Sequence, residues 1–255
     1  SQGAKPGKGG ILPAAKVTEV IASTRGIPAG EDSLSPNRHP DISSIADLLE
    51  MIHRVRQVTG KPTGIKAVIG QSAWLDELFQ AIQDKGLDYA PDFFTVDSAD
   101  GGTGAAPQSL IDFMGLPVKR SLPLVVDKLV EYGLRDRIRV ICSGKMINPA
   151  GVAAALCLGA DCVNSARGFM FALGCIQALQ CNKNTCPTGI TTHDEDLQKG
   201  WTQRIRPHAS PSTRRILCTR SKLFPIPVAW LNRLCCGVST RRSSRSGWMA
   251  RLRVS

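Results

Sequence analysis

Residues 93–107 read Phe-Phe-Thr-Val-Asp-Ser-Ala-Asp-Gly-Gly-Thr-Gly-Ala-Ala-Pro. The first five are short, apolar and preceded by Pro91, the pattern of a strand buried in a parallel sheet. Three glycines around Thr103 follow at once. Such a loop lets the backbone approach a ligand closely and aims N–H groups at it.

Outward from this stretch the pattern repeats. Ile138–Cys142 empties into Ser143-Gly144-Lys145, and a strand near Cys162–Asn164 empties into Ser165-Ala166-Arg167-Gly168; Gly64–Ile69 is a further strand upstream. Between them run helical stripes. Ile45, Leu48, Leu49, Ile52 and Val55 share one face behind a capping box of Ser44 and Asp47, and Trp74, Leu75, Leu78, Phe79 and Ile82 share another. Further helices are expected from about Leu122 to Tyr132, from about Pro149 to Leu158, and, largely apolar, from Phe169 to Leu179. Strands alternating with helices imply right-handed parallel crossovers, in an open doubly wound sheet or in a (β/α) barrel. The strands number four, or five with an N-terminal stub, whereas a closed barrel needs eight. Consecutive βα loops with small and basic residues at the carboxyl ends of parallel strands suit a phosphate.

Cys175, Cys181 and Cys186, the last followed by Pro187, place three thiols within twelve residues. They can converge on one iron–sulfur cluster; zinc would need a distant fourth ligand, and three unrelated thiols are the plain alternative. Cys142, Cys157 and Cys162 stand singly in apolar stretches and read as small buried thiols.

The chain has 255 residues, 42% hydrophobic and 21% charged, which fits a folded globular protein and excludes a mainly disordered one. No apolar run reaches a membrane span and the first residues resemble no signal or transit peptide, so a soluble, cytoplasmic protein is expected. The net charge of +11 is concentrated at one end: residues 200–255 hold 12 basic residues and no acid, leaving 20 basic against 21 acidic residues in 1–199. The body therefore needs no polyanion, and no nucleic-acid partner is expected.

Four motifs resemble, in order and spacing, the FMN-binding barrel of glutamate synthase. They are Gly3-Ala4-Lys5-Pro6-Gly7-x-Gly9-Gly10-x-Leu12-Pro13; Leu34-Ser35-Pro36 with His39 and Asp41-Ile42-x-Ser44-Ile45; Asp100-Gly101-Gly102-Thr103-Gly104-Ala105-x-Pro107; and the cysteine motif ending Cys186-Pro187-x-Gly189. The resemblance covers about residues 2–199 and is nearest to the form not fused to a glutaminase domain. It implies an α/β fold: about the C-terminal half of a TIM-type (β/α)8 barrel, then an iron–sulfur cysteine loop. The first barrel strands would lie before Ser1, so a fragment entering mid-domain is expected. Implied cofactors are FMN and a 3Fe-4S cluster ligated by Cys175, Cys181 and Cys186.

The implied reaction is reductive amination of 2-oxoglutarate to glutamate. Ammonia would come from glutamine through a separate glutaminase subunit or domain, and electrons from a donor protein or subunit. Lys66 and Asp100 take catalytic positions. Lys66, Ser143, Gly144, Lys145, Ala166 and Arg167 take flavin positions, and Lys5 with Gly101, Gly102, Thr103 and Gly104 face substrate. The family often has paired glycines where Lys145 stands and glycine where Asn164 and Ala166 stand, which implies that side-chain charge assists the backbone in holding phosphate. His39, beside Pro40, reads as structural. Rival readings are another FMN-barrel oxidoreductase acting on a small acid, and a non-catalytic metal- or nucleic-acid-binding remnant. Residues 200–255 read as an irregular basic tail, either translated out of frame or a basic arm.

Overall fold

The computed structural model describes residues 11–34, 39–99, 113–181 and 183–199. Lys5, Asp100, Gly101, Gly102, Thr103 and Gly104, and the tail 200–255, lie outside the described residues. The elements in order are β1 (Ile11–Leu12), a 3-10 turn (Ala14–Lys16), α1 (Glu19–Arg25), β2 (Ser33–Leu34), α2 (Ile45–Thr59), β3 (Gly64–Val68), α3 (Ala73–Lys85), a second 3-10 turn (Leu87–Tyr89), β4 (Phe93–Asp97), α4 (Val118–Glu131), β5 (Arg139–Ser143), α5 (Pro149–Cys157), β6 (Cys162–Asn164) and α6 (Arg167–Ala172).

The protein is mixed α/β, built on a parallel sheet of order β3-β4-β5-β6. The N-terminal stub does not join it; β1 pairs antiparallel with β2. The capping box forms as expected: Ser44 Oγ accepts from Asp47 N (3.1 Å) and Asp47 Oδ2 accepts from Ser44 N (2.9 Å). Helix α4 begins at Val118, earlier than the sequence suggests, with Pro123 inside it. Proline usually marks a first turn, which displaces the expected start.

The last apolar helix is much shorter than expected. It ends at Ala172, and Gly174, Gln177 and Leu179 all take positive φ, so residues 173–181 turn instead of continuing the helix. Apolar content without a stable buried stripe does not sustain a helix. Among the three single cysteines, Cys142 is buried, Cys162 is an exposed free thiol and Cys157 is disulfide-bonded, so the buried-thiol reading holds for the first alone.

Strand alternation sorts the sheet into two unlike faces. Phe94, Val96, Val140 and Cys142 are fully buried in one core with Leu49 and Ile52 of α2, Leu75, Leu78, Phe79 and Ile82 of α3, and Leu122, Val125 and Leu129 of α4. All these helices therefore cover the same face. The opposite face carries Lys66, Thr95, Asp97, Ile141, Ser143, Cys162 and Asn164, with Val68, Asp97, Ser143 and Asn164 in register across the strands near their carboxyl ends.

The amino ends of the strands are closed by ion pairs. Asp92 Oδ2 accepts from Thr63 N (2.7 Å) and Arg56 Nε (3.0 Å), and Oδ1 meets Arg137 at 2.9 Å. Burial pushes the Asp92 carboxyl up, but the Thr63 amide and the two guanidiniums outweigh it and hold the group below its ordinary value. Asp161 joins the same end, accepting from Val140 N (2.7 Å) and pairing with Arg135 (3.0 Å). The polar investment here is structural, and chemistry is left to the carboxyl ends. Among the described residues no helix is long and apolar enough to cross a membrane.

Candidate functional site

The loops leaving β4, β5 and β6 are laced to one another. Ser98 N donates to Ser143 O (2.9 Å), Ser98 Oγ accepts from Val118 N (3.0 Å), and Ser165 Oγ donates to Met146 O (2.6 Å). Gly144 sits at φ +104°, and a Cβ there would stand 2.4 Å from Ser98 Cβ; a Cβ on Gly168 would meet Ser165 Oγ at 2.6 Å. Glycine is required at both close approaches. Lys145 takes φ +51°, a left-handed conformation that a non-glycine residue adopts at a cost. A glycine at this position would take the same backbone without strain. Here the chain keeps the turn and adds a cation.

These loops open onto a cavity of about 470 Å³, within the range of sites for cofactors and small ligands. Lys66, Ser143, Gly144, Lys145, Ala166 and Arg167 line it, and so do Cys175, Cys181 and Cys186. All nine sequence-derived positions within the described residues thus meet around one space. Lys66 stands in the middle of β3 and not at its end. Its ammonium donates to Asp97 Oδ2 at 2.6 Å, where the carboxylate side chain is 10% exposed and the lysine 48%. Asp97 thereby fixes a cation against the cavity floor, a role the sequence reading had not given it.

The cysteine loop forms a further part of the cavity wall. Cys186 is buried, Cys175 half-buried and Cys181 exposed. Burial works to raise the Cys186 pKa, yet hydroxyl and backbone donors of Thr188 and Thr191 outweigh it and bring the thiol down to about 6. Cys186 Sγ and Thr188 Oγ1 lie 3.2 Å apart, and in the thiolate form the hydroxyl donates. Thr191 Oγ1 also faces the sulfur, but it is buried without a hydrogen bond of good geometry. A thiol drawn toward its thiolate form by neighbouring hydroxyls is donor chemistry that suits an iron–sulfur group. The thiols surround the cavity without gathering into the close set a single ion requires, since among the described residues no three metal-ligating side chains do so. Cys142, by contrast, is pushed up to about 11, by burial first and by the Asp97 charge second, and remains a core thiol.

Thr188 and Thr191 also belong to this wall, Lys16 is bonded to it through the carbonyls of Cys181 and Thr191, and none of the three was singled out from sequence. Their signals were faint: a lysine among apolar residues in Leu12–Val17, and three threonines within five residues behind Cys186. His39 does play a local structural part, its Nδ1 accepting from Asp41 N at 3.2 Å.

A parallel sheet sheathed by helices on one face, with a cation-lined and thiol-lined cavity at its carboxyl ends, defines an α/β protein built to hold a ligand there. The chain belongs to the glutamate synthase family: the model of the conserved region in glutamate synthase matches residues 1–210. It is 45% identical over 229 residues to the glutamate synthase large subunit-like protein YerD of Bacillus subtilis (strain 168), covering 90% of this chain and 43% of that protein. It is 39% identical over 200 residues to an archaeal-type glutamate synthase (NADPH) of Thermotoga neapolitana, covering 78% and 38%. With the glutamate synthase (NADPH) large chain of Azospirillum brasilense the identity is 34% over 199 residues, covering 78% and 13%. The chain thus spans about two fifths of the first two relatives and a smaller share of the third.

Proposed function

We propose that this chain is the FMN- and iron–sulfur-binding part of an oxidoreductase that converts 2-oxoglutarate and ammonia to glutamate. The observation that carries the reading is one cavity lined by Lys66, Lys145 and Arg167 together with Cys175, Cys181 and Cys186. The four-stranded sheet is read as an arc of a TIM-type (β/α)8 barrel. Sequential strand order and helices confined to one face support that arc over a doubly wound sheet, which carries helices on both faces. Residues 1–199 are the reacting domain and residues 200–255 an appended basic segment. Ammonia comes from a glutaminase subunit or domain outside this chain, electrons come from a donor protein, and the cytoplasm is the setting.

Bound FMN would supply hydride chemistry for the C2 imine of 2-oxoglutarate, and the cluster would supply single-electron transfer. Lys145 and Arg167 neutralise the flavin phosphate, with Ser143, Gly144 and Ala166 bringing backbone close. Lys66, oriented by Asp97, holds positive charge where electron density accumulates. Cys175, Cys181 and Cys186 ligate the irons. Lys5, Gly101, Gly102, Thr103 and Gly104 bind the dicarboxylate, and Asp100 is a catalytic residue.

The test is to reconstitute the full-length protein with flavin and iron, photoreduce it anaerobically, and follow flavin absorbance. Reoxidation that requires both 2-oxoglutarate and ammonium, with glutamate formed in equal amount, is expected. Faster reoxidation by a different 2-oxo acid would favour the other small-acid oxidoreductase, and none with any acid would sink the catalytic reading.

A further inference from the structure

Lys16 ends the 3-10 turn that follows β1, and its side chain is folded inward, leaving the residue 8% exposed. Its ammonium donates to the carbonyl of Cys181 at 2.5 Å and to that of Thr191 at 2.6 Å, across 165 and 175 residues of sequence. Among the described residues no carboxylate lies within ion-pairing distance of it; the nearby Asp32 carboxylate is engaged by Ala14 N at 2.6 Å. Burying a cation with only carbonyl dipoles for company is unfavourable unless an anion stands close by. Both carbonyls belong to residues that line the thiol wall of the cavity, and the buried Thr191 hydroxyl faces the same wall. An anionic group held at that wall would complete the arrangement.

We propose that Lys16 is the positioning residue of the cysteine loop and the fixed counter-charge of the thiolate-bound iron–sulfur group, biasing that group toward its reduced state. The proposal rests on the reading that Cys175, Cys181 and Cys186 hold such a group. One ammonium does two jobs. Its two hydrogen bonds set the spacing between Cys181 and Thr191, and so the opening into which the irons fit. Its charge favours the extra electron, because the reduced group is the more negative one and net charge around a cluster is a principal control of its potential.

The test compares full-length wild type with Lys16→Met, which keeps the stem and removes the charge, and Lys16→Arg, which keeps the charge. Iron and sulfide per chain and the midpoint potential from a spectroscopically monitored redox titration are the readouts. Lys16→Met is expected to shift the oxidised-to-reduced ratio at fixed ambient potential at least tenfold toward oxidised. For a one-electron couple that is a fall of about 59 mV. Lys16→Arg is expected to stay within threefold of wild type. Should Lys16→Met hold no cluster while Lys16→Arg holds a wild-type complement, the charge requirement is supported directly. An unchanged potential in a cluster-loaded Lys16→Met, a tenfold shift in Lys16→Arg, or cluster loss in both variants would overturn the proposal. A wild-type protein without iron and sulfide would instead overturn the cluster reading on which it rests.

Discussion

Gly144→Ala tests the close approach on which the flavin wall depends. The new methyl would lie 2.4 Å from Ser98 Cβ and 2.9 Å from Ser98 N, at a backbone φ of +104°. Ser98 is fully buried and cannot retreat, since its N–H is spent on Ser143 O and its Oγ on Val118 N. Positive φ in a residue with a Cβ costs about 1–3 kcal/mol. Overpacking at a rigid contact adds about 1–3 kcal/mol, so a loss of about 2–6 kcal/mol is expected. Gly60→Ala separates the two contributions, because Gly60 takes φ +61° with nothing within 4 Å of its would-be Cβ. That control should lose only about 1–2 kcal/mol. Urea unfolding of both variants followed by circular dichroism, with slopes checked for equality, gives the comparison. If Gly144→Ala is no more destabilised than Gly60→Ala, the packing of the β5 loop on Ser98 is wrong. The same variant should bind FMN more weakly, because Lys145 follows directly.

Cys181→Ser should abolish iron incorporation and its visible absorption while leaving flavin largely bound; anaerobically purified wild type holding one zinc and no sulfide would contradict this. Lys145→Ala or Arg167→Ala should weaken FMN by ~1–3 kcal/mol each and leave riboflavin affinity unchanged, measured by fluorescence titration. In metal-free protein, alkylation of Cys186 followed by mass spectrometry should show a midpoint near pH 6. Thr188→Val should move that midpoint upward because a donor to the thiolate is lost. Asp92→Asn should cost about 1–3 kcal/mol at neutral pH. The folded-state carboxyl titrates below its ordinary value, so its contribution is present above that ordinary value and lost as pH falls through the folded one. The gap between variant and wild type should therefore close in acid, as read by unfolding at two pH values.

Strand β4 was legible because burial on both faces leaves a short apolar run at the expected Phe93–Asp97, and β6 lies at the expected Cys162–Asn164 although both its ends are exposed. Helices α2 and α3 were legible through their period and, for α2, its cap. Length failed where composition spoke without periodicity. Phe169–Leu179 is mostly apolar, yet its last residues Ile176 and Leu179 are exposed, so nothing rewards a longer helix. At the site, the cysteine spacing and the charged βα loops are local signals and were readable. The Lys66–Asp97 pair, 31 residues apart, and the Lys16 contacts, 165 and 175 residues apart, depend on tertiary closure that no local pattern encodes.

The unlike faces of the sheet imply unlike rates of amide exchange. Strands β4 and β5 share a continuous apolar layer with α3 and α4, so their amides should open only in global unfolding. The cysteine loop turns through Gln177, Leu179 and Asn184 at positive φ and is held mainly by polar bonds, such as Thr192 Oγ1 to Asn184 O at 2.6 Å. Its amides should exchange through local opening while the layer beneath stays closed. The sheet and its helical layer can thus stay closed while the thiol wall opens and shuts, so that access to the cavity is set by the loop alone.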